Sequence, residues 1–306
     1  MNYRNDIRNI AIIAHVDHGK TTLVDALLKQ SHVFRDNQET VDCIMDSNTL
    51  EREKGITILA KNTAIMYKGI KINIIDTPGH ADFSGEVERV INMADGALLL
   101  IDSVEGPMPQ TKFVLREAFK KKLKIIVVIN KIDRQNARIA EVLKLTQDLF
   151  LELATDAEQL DFPVLYASGR EGVVIMEPGM EGKDVSPLFD TILEKIPPPQ
   201  IEEGPFQMLV SNLDYDTHKG KISIGRIWRG KVSPHDMVVC LSADGKQTRY
   251  EIAEVFTHLG LKRLESQGVE AGDIVAVTGI KEVTIGDTLA SPDKLEALPR
   301  IEIGEP

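Results

Sequence analysis

The stretch Ala14-His15-Val16-Asp17-His18-Gly19-Lys20-Thr21-Thr22 decides the fold of this chain of 306 residues. It follows an apolar run over residues 7–14 and precedes Leu23-Val24-Asp25-Ala26-Leu27-Leu28, which has the pattern of a helix. The order is strand, tight loop and helix, and the loop fits G-x-x-x-x-G-K-[ST] with Ala14 in place of the first glycine. This order predicts a phosphate-binding loop in an α/β domain.

Each residue type in the loop suits a bound phosphate. The free N–H groups of the loop and of the helix start point at one spot and attract an anion. Gly19 lets the backbone approach the ligand closely because it has no Cβ. Lys20 can place its charge on the β- and γ-phosphates of a nucleotide, and the Thr21 hydroxyl can bind Mg²⁺. We therefore expect a nucleotide and Mg²⁺ as ligands.

The composition is that of an ordinary globular protein, with 42% hydrophobic and 27% charged residues and a formal net charge of −11. This charge argues against nucleic-acid binding by the whole surface, although it leaves a local basic face open. The sequence has no apolar run near the ~20 residues of a membrane helix, and the first residues lack the apolar core of a signal peptide. Cys43 and Cys240 form no disulfide framework, and the histidines lack zinc-site spacing. We expect a cytoplasmic protein without membrane contact.

Residues 1–199 alternate between apolar strands and helices, which predicts an α/β fold with a mostly parallel sheet and flanking helices. A polar loop over residues 31–55 is long for a connection, and loops of this length are usually functional. The predicted strands are residues 7–14, 63–67, 71–75, 97–102, 125–129 and 164–167, and the predicted helices are residues 21–30, 81–94, 110–122, 137–153 and 187–196. Residues 171–183 are rich in glycine and are predicted to be irregular.

The motif Asp76-Thr77-Pro78-Gly79-His80 follows a predicted strand directly. An aspartate at the end of a strand beside a phosphate loop predicts a second Mg²⁺ contact, usually through water. The N–H group of Gly79 can bind a γ-phosphate, and His80 is placed to orient an attacking water. Thr57 is a candidate for a second hydroxyl ligand of Mg²⁺, although the local sequence alone favours a threonine at the start of a strand.

The motif Asn130-Lys131-Ile132-Asp133 follows another apolar strand. The carboxylate of Asp133 can accept hydrogen bonds from N1–H and the 2-amino group of guanine, and adenine has neither donor. Rejection of ATP by about 10⁴-fold is plausible for such a site. Asn130 is expected to brace the loops, Lys131 to lie along the base, and the turn at Ser168 to offer an N–H group to guanine O6. The expected nucleotide is therefore GTP or GDP, bound where strands end.

The pattern changes after Pro197-Pro198-Pro199, a stiff linker that predicts a boundary between domains 1–199 and 200–306. Short β-type runs follow at residues 206–213, 221–228, 237–241, 249–257 and 273–278, which predicts an all-β barrel or sandwich. Five basic residues on the early strands favour solvated strand faces, with an edge that binds RNA as the alternative: Lys219, Lys221, Arg226, Arg229 and Lys231.

Four motifs in this order resemble those of translational GTPases: the phosphate loop, Arg52-Glu53-Lys54-Gly55-Ile56-Thr57-Ile58, Asp76-Thr77-Pro78-Gly79-His80 and Asn130-Lys131-Ile132-Asp133. Three later segments resemble the barrel of the elongation factor G-like superfamily: Gly225-Arg226-Ile227-Trp228-Arg229-Gly230, Glu270-Ala271-Gly272-Asp273-Ile274 and Ile285-Gly286-Asp287-Thr288-Leu289. Two runs favour a subgroup of ribosome-associated members: Asn212-Leu213-Asp214-Tyr215-Asp216 and Thr257-His258-Leu259-Gly260-Leu261. The resemblance covers essentially the whole chain.

The resemblance implies a role for each residue that matches a family motif. The residues expected to bind phosphate and Mg²⁺ are Asp17, His18, Gly19, Lys20, Thr21 and Thr22. Thr57 closes the switch loop onto Mg²⁺, Asp76 and Gly79 sense the γ-phosphate, and His80 is the catalytic residue that positions water. Guanine is read by Asn130, Lys131, Asp133 and Ser168, and an apolar gate of Val16 and Ile56 screens His80 from water. The family often has Ser-Ala where this chain has Ser168-Gly169.

The resemblance also implies a GTPase that acts as a switch on the ribosome, in large-subunit assembly or in translation under cold or stress. Its partners are GTP, GDP and the large subunit with its rRNA, and the chain is expected to be a monomer. Members of this subgroup are longer, so the chain resembles the GTPase domain and the barrel of a larger protein. Two alternatives stay open: a translocation factor like elongation factor G or LepA, and a non-hydrolysing module that docks on the ribosome when nucleotide is bound.

Overall fold

The computed structural model describes residues 2–31, 61–77 and 84–300. Up to residue 195 the elements are β1 (Asn2–Tyr3), β2 (Ile7–Ala14), α1 (Lys20–Gln30), β3 (Lys61–Tyr67), β4 (Ile70–Asp76), α2 (Ser84–Met93), β5 (Gly96–Asp102), α3 (Pro109–Lys120), β6 (Lys124–Asn130), α4 (Ile139–Leu153), a 3₁₀ turn (Ala157–Leu160), β7 (Val164–Ser168), β8 (Val173–Ile175) and α5 (Ser186–Lys195). Within the described ranges, each helix is too short or too polar to cross a membrane.

The first large sheet has seven strands in the order β3-β4-β2-β5-β6-β7-β8. Strand β2 pairs in parallel with β4 and β5, and the parallel run continues through β6 to β7. The two outer strands, β3 and β8, are antiparallel to their neighbours. The predicted α/β fold with a mostly parallel sheet is confirmed. Its central strands are largely buried because helices cover both faces.

One face of this sheet packs against α1 and α5, and the other packs against α2, α3 and α4. Each helix turns a stripe of buried apolar residues to the sheet, as amphipathic helices in such folds do. The phosphate loop, which connects β2 to α1, therefore lies at the carboxyl edge of the parallel strands.

The second half is β-rich, with β9 (Gln200–Ile201), β10 (Gln207–Leu209), β11 (Asn212–Asp216), β12 (Gly220–Arg229), β13 (Lys231–Val232), β14 (Met237–Leu241), β15 (Gln247–Glu251), β16 (Val255–Leu259), β17 (Lys262–Glu265), β18 (Val269–Glu270), β19 (Ile274–Val277) and β20 (Thr288–Ala290). Most of these strands join one antiparallel sheet in the order β15-β14-β20-β10-β12-β19-β16-β17, with β11 continuing beside β12. The expectation of an all-β barrel domain after the α/β domain is confirmed.

Three details of the predicted elements were wrong. The runs 206–213 and 249–257 are each two strands, because the chain leaves the ladder at residues 210–211 and 252–254 and turns. Residues 171–183 are not wholly irregular, since the buried stretch Val173–Ile175 forms β8 against β7.

A buried polar network joins the first sheet to the barrel. Asn9 Nδ2 donates to Asp95 Oδ2 over 3.0 Å, and Asn73 Nδ2 donates to Asn9 Oδ1 over 2.8 Å. Asn73 also donates to Asp273 Oδ1 over 2.9 Å, and Lys71 Nζ lies 2.8 Å from Asp273 Oδ2. The barrel thus supplies a carboxylate to two polar side chains on β4, and the carbonyl of Gly272 to Asn9 on β2.

The barrel also contacts the edge strand β3. Gly260, in the turn between β16 and β17, forms an antiparallel bridge with Ala64, and its N–H group donates to the Ala64 carbonyl over 2.6 Å. The Thr63 hydroxyl donates to the Gly260 carbonyl. Barrel residues also enter the apolar cluster beneath α2 and α3: Ile222, Ile224, Phe256, Ile274 and Ala276. One apolar cluster therefore spans both halves of the chain, and the barrel has a further cluster of its own.

The expectation of solvated strand faces was wrong for two of the five basic residues. Arg226 is 3% exposed, stacks on the Trp228 ring and pairs with Asp95 over 2.8 Å. Arg229 is 2% exposed and pairs with Glu296 over 3.0 Å. These charges are buried because acidic partners from distant parts of the chain reach them. The other three are half-buried or exposed: Lys219, Lys221 and Lys231.

Candidate functional site

The loop between β2 and α1 needs glycine at one position. Gly19 has a φ of 90°, and a Cβ there would lie 2.4 Å from Asn130 Nδ2. Asp17 also adopts a left-handed backbone, with a φ of 63°. Ala14, which replaces the first glycine of the pattern, is the last residue of β2 and is 8% exposed. A side chain fits there because Ala14 is still part of the strand and needs no left-handed backbone.

Lys20 and Asp76 meet beneath this loop. Lys20 Nζ lies 3.0 Å from Asp76 Oδ1 and donates to the Thr77 carbonyl. Asp76 is 1% exposed, and apart from this ion pair its carboxylate oxygens accept no hydrogen bond from the described residues. Thr21, in the first turn of α1, is half-buried. The structure thus joins the ammonium group of Lys20 to the carboxylate of Asp76, and Thr21 is the next residue of α1.

This donor set fits a magnesium ion bound together with phosphate. Mg²⁺ prefers oxygen ligands and is usually held by one or two protein groups plus phosphate oxygens and water. The buried Asp76 carboxylate, with no hydrogen bond among the described residues apart from its ion pair with Lys20, is such an oxygen donor. Thr21 offers a second one from the helix start.

Asn130 joins three loops at the carboxyl edge of the sheet. Its Nδ2 donates to the His18 carbonyl over 2.9 Å, and its Oδ1 accepts from the N–H group of Gly169 over 3.0 Å. Asn130 is 1% exposed, so both bonds are shielded from water. The phosphate loop, the motif after β6 and the turn after β7 are therefore held in one arrangement by a single amide.

Lys131 is fixed from both sides. Its φ is 63°, its ammonium group lies 2.6 Å from Asp102 Oδ2, and it donates to the Asp17 carbonyl. Burial opposes the ionisation of Asp102, but the hydrogen bonds from Lys131 and from the N–H groups of Val104 and Glu105 keep its pKa below the usual range. The Lys131 side chain is thereby held between the phosphate loop and the end of β5.

Asp133 and Ser168 lie at the open end of this arrangement. Asp133 is exposed, and Ser168 is 2% exposed with its hydroxyl accepting from the N–H group of Glu171 over 3.3 Å. A groove of about 430 Å³ runs from here along α1. Its lining includes Thr22, Asp25, Lys29, Gly169 and Arg170.

The two histidines of the phosphate loop face the segment after β5. His18 is fully buried, the N–H group of Asp102 donates to its Nδ1 over 3.3 Å, and its Nε2 lies 3.4 Å from Glu105 Oε2. Burial lowers the pKa of His18 below its usual value. His15 Nδ1 lies 2.5 Å from the amide oxygen of Gln110.

Four of the predicted site residues fall outside the described ranges: Ile56, Thr57, Gly79 and His80. Val16, the other half of the predicted apolar gate, lies half-buried in the phosphate loop. The structure brings together the remaining predicted residues of the phosphate loop, Asp76 and the motif after β6.

Sequence reasoning missed Asp102 and Arg170. Asp102 is the last residue of β5 and lies at the carboxyl edge of the sheet, as the recognised motifs do. This position was the available signal that it belongs to the site. Arg170 lines the groove next to Gly169, and its position directly after the predicted guanine turn was the available signal.

Both halves of the chain match known protein families. The family described as elongation factor Tu GTP binding domain matches residues 5–198, and elongation factor Tu domain 2 matches residues 220–290. The large ribosomal subunit assembly factor BipA of Salmonella typhimurium is 52% identical over 302 residues, which cover 98% of this chain and 50% of that protein. The protein of the same name from Bacillus subtilis is 49% identical over 307 residues, or 100% of this chain and 50% of the relative.

The chain spans about half the length of these curated relatives. A crystal structure of a protein from Thermus thermophilus superimposes with a TM-score of 0.72 over 96% of this chain and 55% of the other. The two sequences are 21% identical, so this likeness supports the fold alone.

Proposed function

The chain belongs to the family of the elongation factor Tu GTP-binding domain, and from this premise we propose that it binds GTP and GDP and hydrolyses GTP as a switch on the ribosome. The family match supports GTP as the nucleotide. The relatives named as large ribosomal subunit assembly factors support the large subunit, with its rRNA, as the partner. The proposal includes a cytoplasmic location and a monomeric chain.

The observation that carries the proposal is the double hydrogen bond of Asn130. By linking the phosphate loop to the turn after β7, it sets the distance between a phosphate subsite and a base subsite. A ligand that satisfies both subsites is a nucleotide. The Asp133 carboxylate then selects guanine, because it can accept from N1–H and the 2-amino group, and adenine offers neither.

At the phosphate end we propose that nucleotide binding draws Lys20 away from the Asp76 carboxylate, and that its ammonium group then pairs with the β- and γ-phosphates. The N–H groups from Gly19 to Thr22 surround the same phosphates at the start of α1. Asp76, released from Lys20, and the hydroxyls of Thr21 and Thr57 hold Mg²⁺, the aspartate through water. A bound Mg²⁺ neutralises charge on the phosphate oxygens.

For hydrolysis we propose that Gly79 senses the γ-phosphate and that His80 orients the attacking water, with Val16 and Ile56 as the apolar gate beside it. These roles rest on the match of the residues to family motifs. We also propose that contact with the ribosome stimulates turnover, and that the two domains meet near residues 199 and 200.

The test is GTP turnover by this chain and by a longer form with further C-terminal sequence, each with and without purified large ribosomal subunits. Stimulation of the longer form by the subunits supports the proposal, and stimulation of both forms shows that these 306 residues are sufficient. GTP binding without any turnover in either form would instead favour the non-hydrolysing docking module.

A further inference from the structure

The fully buried ring of His18 leaves one polar atom without a hydrogen bond. Its Nδ1 lies 3.3 Å from two main-chain groups, the N–H group of Asp102 and the carbonyl of Leu100, so Nδ1 can accept from the first or donate to the second. With the proton on Nδ1, the unprotonated Nε2 would face the Glu105 carboxylate, whereas with the proton on Nε2 both ring nitrogens face a suitable partner. Within the described part of the chain, Nε2 accepts and donates no hydrogen bond of good geometry.

The nearest acceptor for this proton is Glu105. One carboxylate oxygen of Glu105 lies 3.4 Å from His18 Nε2, and the side chain is 47% exposed. An exposed glutamate can rotate at little cost, whereas a buried N–H group without an acceptor is strongly unfavourable. A small rotation of the Glu105 side chain would complete the bond.

The main chain around His18 needs such support. Asp17 and Gly19, on either side of it, both have left-handed backbones, with φ values of 63° and 90°. The His18 carbonyl accepts from Asn130, so a displaced His18 also disturbs the turn at Gly169. The His18 ring is thus the anchor of the loop on its inner side.

We propose that Glu105 is a positioning residue for the phosphate loop, which accepts the Nε2 proton of His18 and thereby fixes the ring in one tautomer and one orientation. Glu105 touches no nucleotide in this arrangement and acts only through His18. Its effect on nucleotide binding rests on the function proposed above, but its effect on the His18 ring does not.

The neutral state of the ring agrees with this arrangement. Burial lowers the pKa of His18, and the neighbouring His15 lowers it further, while the Leu100 carbonyl, Asp102 and Glu105 raise it. A neutral ring has one proton to place, and because the main-chain groups at Nδ1 suit either tautomer, the carboxylate beside Nε2 decides between them.

The experiment compares three variants of the 306-residue chain with the unsubstituted chain. Glu105→Ala removes the acceptor, Glu105→Gln keeps an acceptor oxygen without the charge, and Glu158→Ala is the matched control. Glu158 has an exposed carboxylate that pairs with Lys124 at the start of β6, on the edge of the sheet opposite the phosphate loop. The ¹⁵N resonances of the histidine rings report the tautomer, and the signal of His18 is assigned by its loss in His18→Asn.

We expect the unsubstituted chain to show His18 protonated on Nε2 alone. Glu105→Ala should shift or broaden this signal and speed GDP release about tenfold. Glu105→Gln should restore both readouts, and Glu158→Ala should change neither. Thermal unfolding of each variant shows whether it is folded.

The proposal is overturned if Glu105→Ala leaves the His18 signal unchanged, or if it shifts the signal without affecting GDP release. It is also overturned if Glu105→Gln behaves like Glu105→Ala, since the charge and not the hydrogen bond would then matter. If the unsubstituted chain fails to bind GDP, the proposed function fails, and the ring signal alone still decides whether Glu105 positions His18.

Discussion

The side-chain amide of Asn130 donates to the main-chain carbonyl of His18 over 2.9 Å, so the loop that would hold phosphate is fixed by a residue of the motif that would read the base. The same amide accepts from Gly169 over 3.0 Å. Replacing Asn130 by alanine leaves a buried carbonyl and a buried N–H group without their partner. We expect guanine-nucleotide affinity to fall by about 10²-fold or more. Titration with a fluorescent GDP measures the loss, and Asn136→Ala in the exposed turn nearby is the control.

Asp133 should determine which purine binds. Asp133→Asn replaces an acceptor with a group that can donate, which suits the 2-carbonyl of xanthine and opposes the 2-amino group of guanine. We expect a loss of about 10⁴-fold for GDP and a gain for xanthosine diphosphate. Competition between the two nucleotides measures the change, with Asp148→Asn on the exposed face of α4 as the control. Unchanged preference for GDP would remove Asp133 from the base site.

Lys20 and Asp76 form a buried ion pair whose partners depend on each other. Lys20→Met leaves the Asp76 carboxylate, 1% exposed, without a counter-charge. We expect the free energy of unfolding to fall by about 3–5 kcal/mol in nucleotide-free protein. The double variant Lys20→Met/Asp76→Leu should recover much of this loss, because no uncompensated charge remains. Urea denaturation of both variants makes the comparison, and equal stability of the single and double variants would contradict it.

His258, in β16, should make the stability depend on pH. Burial, together with the charges of Arg263 and Lys71, lowers the pKa of His258 to about 4. The unfolded chain then binds a proton more readily than the fold between pH 4 and about 6.5, the ordinary histidine pKa. Stability is therefore lost as the pH falls through this window, by about 3 kcal/mol in total.

The measurement for His258 is the free energy of unfolding of the unsubstituted chain and of His258→Gln at several pH values. Their difference isolates His258 from other titrating groups. The difference should change between pH 7 and 4 and stay constant below pH 4. His235→Gln is the control, because the His235 side chain is 79% exposed. A difference that does not vary with pH would show that His258 is accessible to protons in the fold.

Asp273 should be critical for the contact between the barrel and the first sheet. It accepts from Asn73 and pairs with Lys71, so Asp273→Ala leaves a lysine and an amide without their partner at a buried interface. We expect a loss of about 2–4 kcal/mol in the free energy of unfolding. Asp293→Ala, on an exposed loop of the same barrel, is the control. A loss no greater than that of the control would mean that the apolar contacts alone hold the two halves together.

The sequence predicted the architecture well because its signals are local. Continuous apolar runs mark the central parallel strands, and the motifs directly after β2, β4 and β6 mark the edge where ligands bind. The resemblance to translational GTPases, drawn from those motifs, is confirmed by the family match over residues 5–198. The roles of the individual site residues stay predictions.

What the sequence could not show depends on distant partners. Arg226 looked like a solvated strand residue, but its partner Asp95 is 131 residues away in the chain. The same holds for His18, whose ring is buried against Asp102 and Glu105 after another strand. A pattern of charges along one strand carries no information about which distant carboxylate will cover it.

The bridge between Gly260 and Ala64 has a practical consequence for anyone who wishes to study the nucleotide-binding half in isolation. Excision near residue 199 would strip the edge of β3 of its neighbour and uncover the apolar cluster that Ile222, Phe256 and Ile274 complete. An isolated first half would expose an unpaired strand edge next to an apolar surface, and this combination promotes self-association. Recombinant work on this protein should therefore keep the first 300 residues in one piece.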